Sequence, residues 1–190
     1  MPDRIRTALI YGSARDGRFC DTVARWAAKE IAARPDFALD LVDPRIAAHH
    51  RSSGDLFADL SPLRGAIAEA DAYVVVTPEY NHSFPASLKH LIDSFFEEWR
   101  AKPVAFISYG GLSGGVRATE HLRHVFAELH AVGIRDGVSF AYARARFDEA
   151  GEPREAEAAR EAMRVMLDRL AWWANALRSA RATTPYARTA

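Results

Sequence analysis

Short apolar runs recur along the chain between stretches of a different period. "RTALIYG" (Arg6–Gly12), "FALDLVD" (Phe37–Asp43), "AYVVVT" (Ala72–Thr77), "PVAFISYGG" (Pro103–Gly111) and "IRDGVSFAYA" (Ile134–Ala143) read as strands, being short and bounded by turn residues. Between them the apolar positions fall at helical spacing. Val23, Trp26, Ala27 and Ile31 lie on one face of "DTVARWAAKEIAAR", and "PLRGAIAEA" makes a short helix. A helix over Pro85–Trp99 opens on a proline at a favoured first-turn position and carries Leu88, Leu91, Ile92, Phe95, Phe96 and Trp99. "GVRATEHLRHVFAELHAVG" reads as a helix closed by Gly133. A last helix over Arg154–Arg178 sets Ala159, Met163, Met166, Leu170, Trp173 and Leu177 on one stripe, a core face. Pro44–Ser61 is polar and irregular.

Strands that alternate with helices predict an α/β domain whose parallel sheet is covered on both faces. No repeat, low-complexity tract or linker divides the chain, so a single domain over 1–180 is expected, with a loose tail over 181–190. For a five-stranded doubly wound sheet the expected order is 2-1-3-4-5. Ligands then bind off the carboxyl ends of the first and third strands, where the winding reverses. The two loops at those ends, "GSARDGRF" and "PEYNHS", have the most unusual composition in the sequence.

Composition narrows the function. Lysine plus arginine balance aspartate plus glutamate at 25 each, which gives no global attraction to nucleic acid or an anionic membrane and weakly favours self-association. Cys20 is the only cysteine, so no internal disulfide can form and a reducing, cytoplasmic setting is expected. The opening "MPDRIRTALIYG" lacks a long apolar signal region, and no apolar stretch reaches membrane-spanning length.

The first loop has the chemistry of a phosphate site. It precedes a helix whose first N–H groups lack partners; Ser13 offers a hydroxyl, and Arg15 and Arg18 offer charge-assisted bonds. A solvated turn with surface arginines is the plainer alternative. Four residues separate Gly12 from Gly17, so G-x-G-x-x-G is absent, and no Gly-Lys-Ser/Thr closes a P-loop. A mononucleotide phosphate suits this loop better than a dinucleotide. In "PEYN", Pro78 fixes one backbone angle, Tyr80 supplies a flat surface, and Asn81 tolerates the left-handed conformation. After the fourth strand, Gly110 and Gly111 permit close backbone approach to a ligand.

With these three loops in view, the chain resembles the NADPH-dependent FMN reductases of flavodoxin-like fold, a family that includes quinone, azo and metal-ion reductases. The resemblance rests on "GSARDGR", "TPEYNHSFPASLKHLID" and "KPVAFISYGGLSGGVRATEHLRHVFAEL", covering roughly Ile5 to Gly133. It implies a three-layer sandwich, FMN as cofactor, and NADPH (or NADH) as electron donor to a small acceptor. It places the phosphate loop on Ser13, Arg15 and Arg18, with Phe19 and Cys20 alongside. The flavin-ring loop falls on Pro78, Glu79, Tyr80 and Asn81, and the third contact on Tyr109, Gly110 and Gly111. Many members have Ser at Arg18 and Asn at Cys20, and a Leu-Pro motif where this chain has "DPRIAAHHRSSGD". His82 and Ser83 are candidates for the acceptor pocket. The resemblance also implies a homodimer or homotetramer through the Pro85–Trp99 helix, whose apolar surface looks broader than one sheet face needs.

Two other chemistries have sequence support. "GLSGG" matches G-x-S-x-G with Ser113 as a nucleophile, but no histidine follows His130, so the Ser…Asp…His order of that fold cannot be made. His121, His124 and Glu128, or His49 and His50, have spacings compatible with a metal but lack a ligand pattern, and no metal is expected. A flavin-binding electron carrier or redox sensor shares every FMN-binding feature with the reductase.

Overall fold

β3 (Ala72–Pro78) is buried at every position, as a central strand of a parallel sheet covered on both sides must be. The structure, a computed structural model, describes residues 4–45 and 60–186. His49, His50 and most of the irregular segment after the second strand lie outside the described residues. Around β3 run β1 (Ile5–Tyr11), β2 (Phe37–Val42), β4 (Pro103–Tyr109) and β5 (Val132–Phe140). All pair in parallel, in the expected order β2-β1-β3-β4-β5. The register brings the carboxyl ends level: Tyr11 stands opposite Val76, and Pro78, Tyr109 and Phe140 form one row.

Alternate side chains of each strand feed opposite layers. Leu9, Val74, Val76, Ala105 and Ile107 pack with α1 (Cys20–Ala32) and the long carboxyl-terminal helix. Ile10, Tyr73, Val75, Val104 and Phe106 pack on the other face with α2 (Arg64–Glu69), α3 (Ala86–Asp93) and α4 (Val116–Glu128). A short α5 (Ala143–Arg146) precedes α6 (Ala156–Thr183), where Ala159, Met163, Met166 and Leu170 are buried as the stripe predicts. The result is the flavodoxin-like three-layer sandwich.

The helix predicted over Pro85–Trp99 is broken. α3 ends at Asp93, the Ser94 hydroxyl donates to His90 O at 2.7 Å, and a 3₁₀ turn spans Glu97–Trp99. The break lets the Trp99 indole turn inward, where its Nε1–H reaches Ile92 O and Phe95 O, both at 3.0 Å. Leu88, Leu91, Ile92, Phe95 and Trp99 are therefore all core, and only Phe96, 49% exposed, faces outward. The broad apolar surface inferred from the sequence is used inside the chain. Gly133 does not close α4 either: it lies within β5, and His130 takes the left-handed position after the helix (φ 58°), its Nδ1 within 2.8 Å of the Tyr186 hydroxyl. That contact and the extension of α6 to Thr183 order the first part of the expected tail.

At the amino-terminal edge of the sheet, Lys102 is buried with its Nζ donating to Ala68 O at 2.6 Å. Burial, helped by nearby Arg181 and opposed by Asp71 and Glu98, pulls its pKa down to about 8. The folded value lies below the unfolded one of about 10.4, so the unfolded chain binds more protons between them. Lys102 thus makes stability rise with pH from about 8 towards that value. Urea midpoints for the wild type and Lys102→Met will show the wild type gaining on the variant across this window. A constant difference between the two would mean that Lys102 titrates normally.

Candidate functional site

Because the carboxyl ends are level, four connections meet around one cavity of about 640 Å³. Its walls are Arg15–Phe19 after β1, Pro78–Tyr80 after β3, Tyr109–Gly111 after β4 and Tyr142–Ala145 after β5. The sequence reading named three of these segments and missed the fourth. That segment is latched to the third: Tyr142 N–H donates to Gly111 O (2.9 Å) and Ala143 N–H to Gly110 O (3.1 Å).

α1 starts at Cys20 with no side-chain cap, and its first turn is closed by the main chain, Thr22 N–H donating to Phe19 O at 3.1 Å. Ser13 is buried, its Oγ 3.1 Å from the Tyr80 hydroxyl. Arg15 is exposed and its guanidinium lies 4.1 Å over the Tyr80 ring. Arg18 lies in the cavity wall with its guanidinium already engaged. Its guanidinium bonds Asp21 Oδ1 (2.8 Å), Asp43 Oδ1 (2.8 Å), Asp43 Oδ2 and the Ser13 carbonyl. Burial favours its neutral form, but the two carboxylates outweigh that and raise its pKa. Arg18, expected as a phosphate ligand, thus ties the first loop to the end of β2 in this structure. Cys20 likewise faces inward: its thiol lies 3.6 Å from Val76 O, burial pushes its pKa up, and it is not part of the cavity wall. Phe19 lines the cavity, edge-on to Tyr109 at 5.9 Å.

"PEYNHS" folds into a two-residue hairpin. Tyr80 and Ser83 exchange backbone bonds of 2.8 and 3.0 Å around Asn81 (φ 50°) and His82 (φ 69°). Positive φ at both central positions is a geometry that asparagine and histidine adopt more readily than most side chains. The turn holds the Tyr80 ring against the cavity while Asn81 and His82 sit exposed at its tip, and neither they nor Ser83 line the wall. Ser83 Oγ instead lies 3.0 Å from His121 Nδ1, tying the hairpin to α4.

Glu79 joins three elements at the cavity edge. Its N–H donates to Tyr109 O (3.0 Å), and its carboxylate accepts from Ser113 Oγ (2.7 Å) and Arg117 Nε (2.6 Å). Burial alone would raise its pKa; the bonds from Ser113 and Arg117 prevail and hold it below the usual carboxylate range. Ser113, the candidate nucleophile, thus donates to an ion-paired carboxylate and not to an imidazole. Among the described residues no group of three His, Cys, Asp or Glu converges as a metal site, nor is any helix long and apolar enough to cross a membrane.

Residues 5–145 match the model of the family described as NADPH-dependent FMN reductase. The chain belongs to this family. A Schizosaccharomyces pombe NAD(P)H-dependent FMN reductase is 34% identical over 62% of this chain and 63% of its own length. An Escherichia coli quinone reductase is 34% identical over 70% of this chain and 74% of its own. Among solved structures, FerB of Paracoccus denitrificans, a flavoenzyme NAD(P)H:(acceptor) oxidoreductase, superposes with a TM-score of 0.68 at 21% identity. That match covers 90% of this chain and 97% of FerB and supports the fold alone.

The chain's own residues fit the cofactor that gives this FMN reductase family its name. A phosphate needs cations and hydrogen-bond donors at one end of the cavity, and the Arg15–Phe19 loop with the exposed Arg15 guanidinium lines that end. A planar ring needs flat walls and backbone groups, as Tyr80, Tyr109 and the Gly110–Gly111 main chain provide. The volume falls within the ordinary range for a cofactor site.

Proposed function

We propose that this chain is an NAD(P)H-dependent FMN reductase that passes reducing equivalents to a small acceptor such as free flavin or a quinone. The observation that carries the reading is the convergence of Arg15, Tyr80 and Gly110–Gly111 on one cavity at the sheet's switch point. FMN, when bound there, supplies the two-electron chemistry between nicotinamide and acceptor. The protein's part is to bind and orient. The first loop holds the phosphate, and the main chain of Pro78–Tyr80 and Gly110–Gly111 meets the polar edge of the ring. Phe19 and Tyr109 keep water from the ring's inner side. The exposed side chains of Leu112 and Tyr142 give donor and acceptor an apolar surface to stack against. No side-chain acid–base pair is required. The relatives' names, FMN reductase and quinone reductase, support the acceptor class. NADPH is the donor of the proposal, with NADH as the alternative.

Ser113, bonded to the Glu79 carboxylate, gives a hydrolase reading no support. Assembly as a homodimer or homotetramer and a cytoplasmic setting belong to the proposal too; light scattering on the purified protein reads the first. To test the activity, NADPH oxidation is followed with a quinone in excess. Turnover requiring both FMN and protein is the expected result. Flavin bound without turnover would make the chain a carrier or sensor.

A further inference from the structure

The site proposed above faces a charge problem that the sequence does not reveal. A phosphate monoester carries about −1.5 to −2 charges at neutral pH. Arg18, the cation nearest to hand in the first loop, is held between Asp21 and Asp43, so that this trio is formally anionic. Asp16 lies alongside, paired with Arg45 at 3.2 Å. A phosphate at the start of α1 therefore needs positive charge from elsewhere.

Two guanidiniums line the cavity without a carboxylate partner among the described residues, Arg15 and Arg144. Each is stacked on an aromatic ring of the cavity wall: Arg15 at 4.1 Å from the Tyr80 centroid, Arg144 at 5.3 Å from that of Phe19. Phe19 occupies the position just before α1, so Arg144, stacked on its ring, stands near the amino end of the helix. The backbone that carries Arg144 is fixed. Its segment is fastened to the Gly110–Gly111 loop by the Tyr142 and Ala143 amides, and a Phe147–Pro153 bridge closes the loop behind it. Stacking leaves the N–H edges of a guanidinium free for a planar, bidentate acceptor.

We propose that Arg144, reaching in from beyond β5, and Arg15 form a two-guanidinium clamp on the phosphate of FMN, in the place that the sequence assigns to Arg18. The inference rests on the FMN reading of the cavity.

The test is fluorescence titration of the flavin-free full-length protein with FMN and, separately, with riboflavin, which has the ring but no phosphate. In Arg144→Gln, FMN will bind about ten- to a hundredfold more weakly, the usual worth of a charge-assisted hydrogen bond, while riboflavin binding stays unchanged. Arg15→Gln will show the same selective loss. Arg144 is exposed, so the variant's thermal midpoint should match the wild type. Equal weakening for both flavins, no change for either, or a rise only in the KM for NADPH would overturn the clamp. If wild-type protein binds both flavins equally, the clamp fails alone. If it binds neither, the FMN reading fails and the clamp with it.

Discussion

Arg18→Ala will lower the unfolding free energy by about 3–5 kcal/mol, the usual cost of stranding one side of a buried ion pair. The Arg18 side chain is 3% exposed and that of Asp43 17%, so the carboxylate left behind stays largely out of water. The Ser13 carbonyl loses its partner as well. Arg18→Lys will recover little, because an ammonium cannot span Asp43, Asp21 and Ser13 together as the planar fork does. Replacing Arg18 and Asp43 together by leucine should return much of the loss, since the apolar pair leaves no buried charge. Urea unfolding monitored by tryptophan fluorescence measures all three. A variant that folds as well as wild type and loses only FMN affinity would make Arg18 a phosphate ligand after all.

Gly115→Ala will destabilise the protein by about 2–4 kcal/mol and disturb the cavity, combining left-handed strain with steric overlap. Gly115 has φ 88°, and a Cβ there would stand 2.7 Å from Ser108 Cβ and 2.8 Å from Tyr109 N. Both atoms belong to the last two residues of the buried strand β4, so nothing flexible can give way. Gly111→Ala, where an added Cβ meets no atom within 4 Å, will leave stability within about 0.5 kcal/mol of wild type. Thermal melts of the two variants, with and without FMN, read the contrast. Equal midpoints would show that the β4 loop adapts.

Arg18 and Gly115 both owe their roles to contacts that only the fold creates. The strands were legible because a buried parallel strand must be apolar throughout, and their alternation with helices led to the sheet order. The hairpin in "PEYNHS" was legible through Asn81, a residue type that accepts positive φ. Arg18 was not, because its partner Asp43 is distant in sequence and becomes a neighbour only when β2 pairs with β1. Two further glycines of the β4 loop, Gly114 and Gly115, had no signal in the sequence, because their need arises from Ser108, Tyr109 and Ser139 packed against them. The helix after β3 looked continuous because Phe95, Phe96 and Trp99 keep the period, and only the packed core shows Trp99 folding back on Ile92. The segment after β5 went unseen because the switch-point rule draws attention to β1 and β3. The register of β5 on β4 brings Tyr142 and Arg144 to the same edge.

The central claim is that the cavity holds an FMN reducible by nicotinamide. Purified protein reconstituted with FMN, freed of excess flavin and titrated anaerobically with NADPH tests it most directly. The account predicts that the yellow flavin band stays with the protein and bleaches rapidly as NADPH is added, returning when a quinone is supplied. Protein that emerges colourless from reconstitution, or a bound flavin that NADPH leaves yellow, would contradict it.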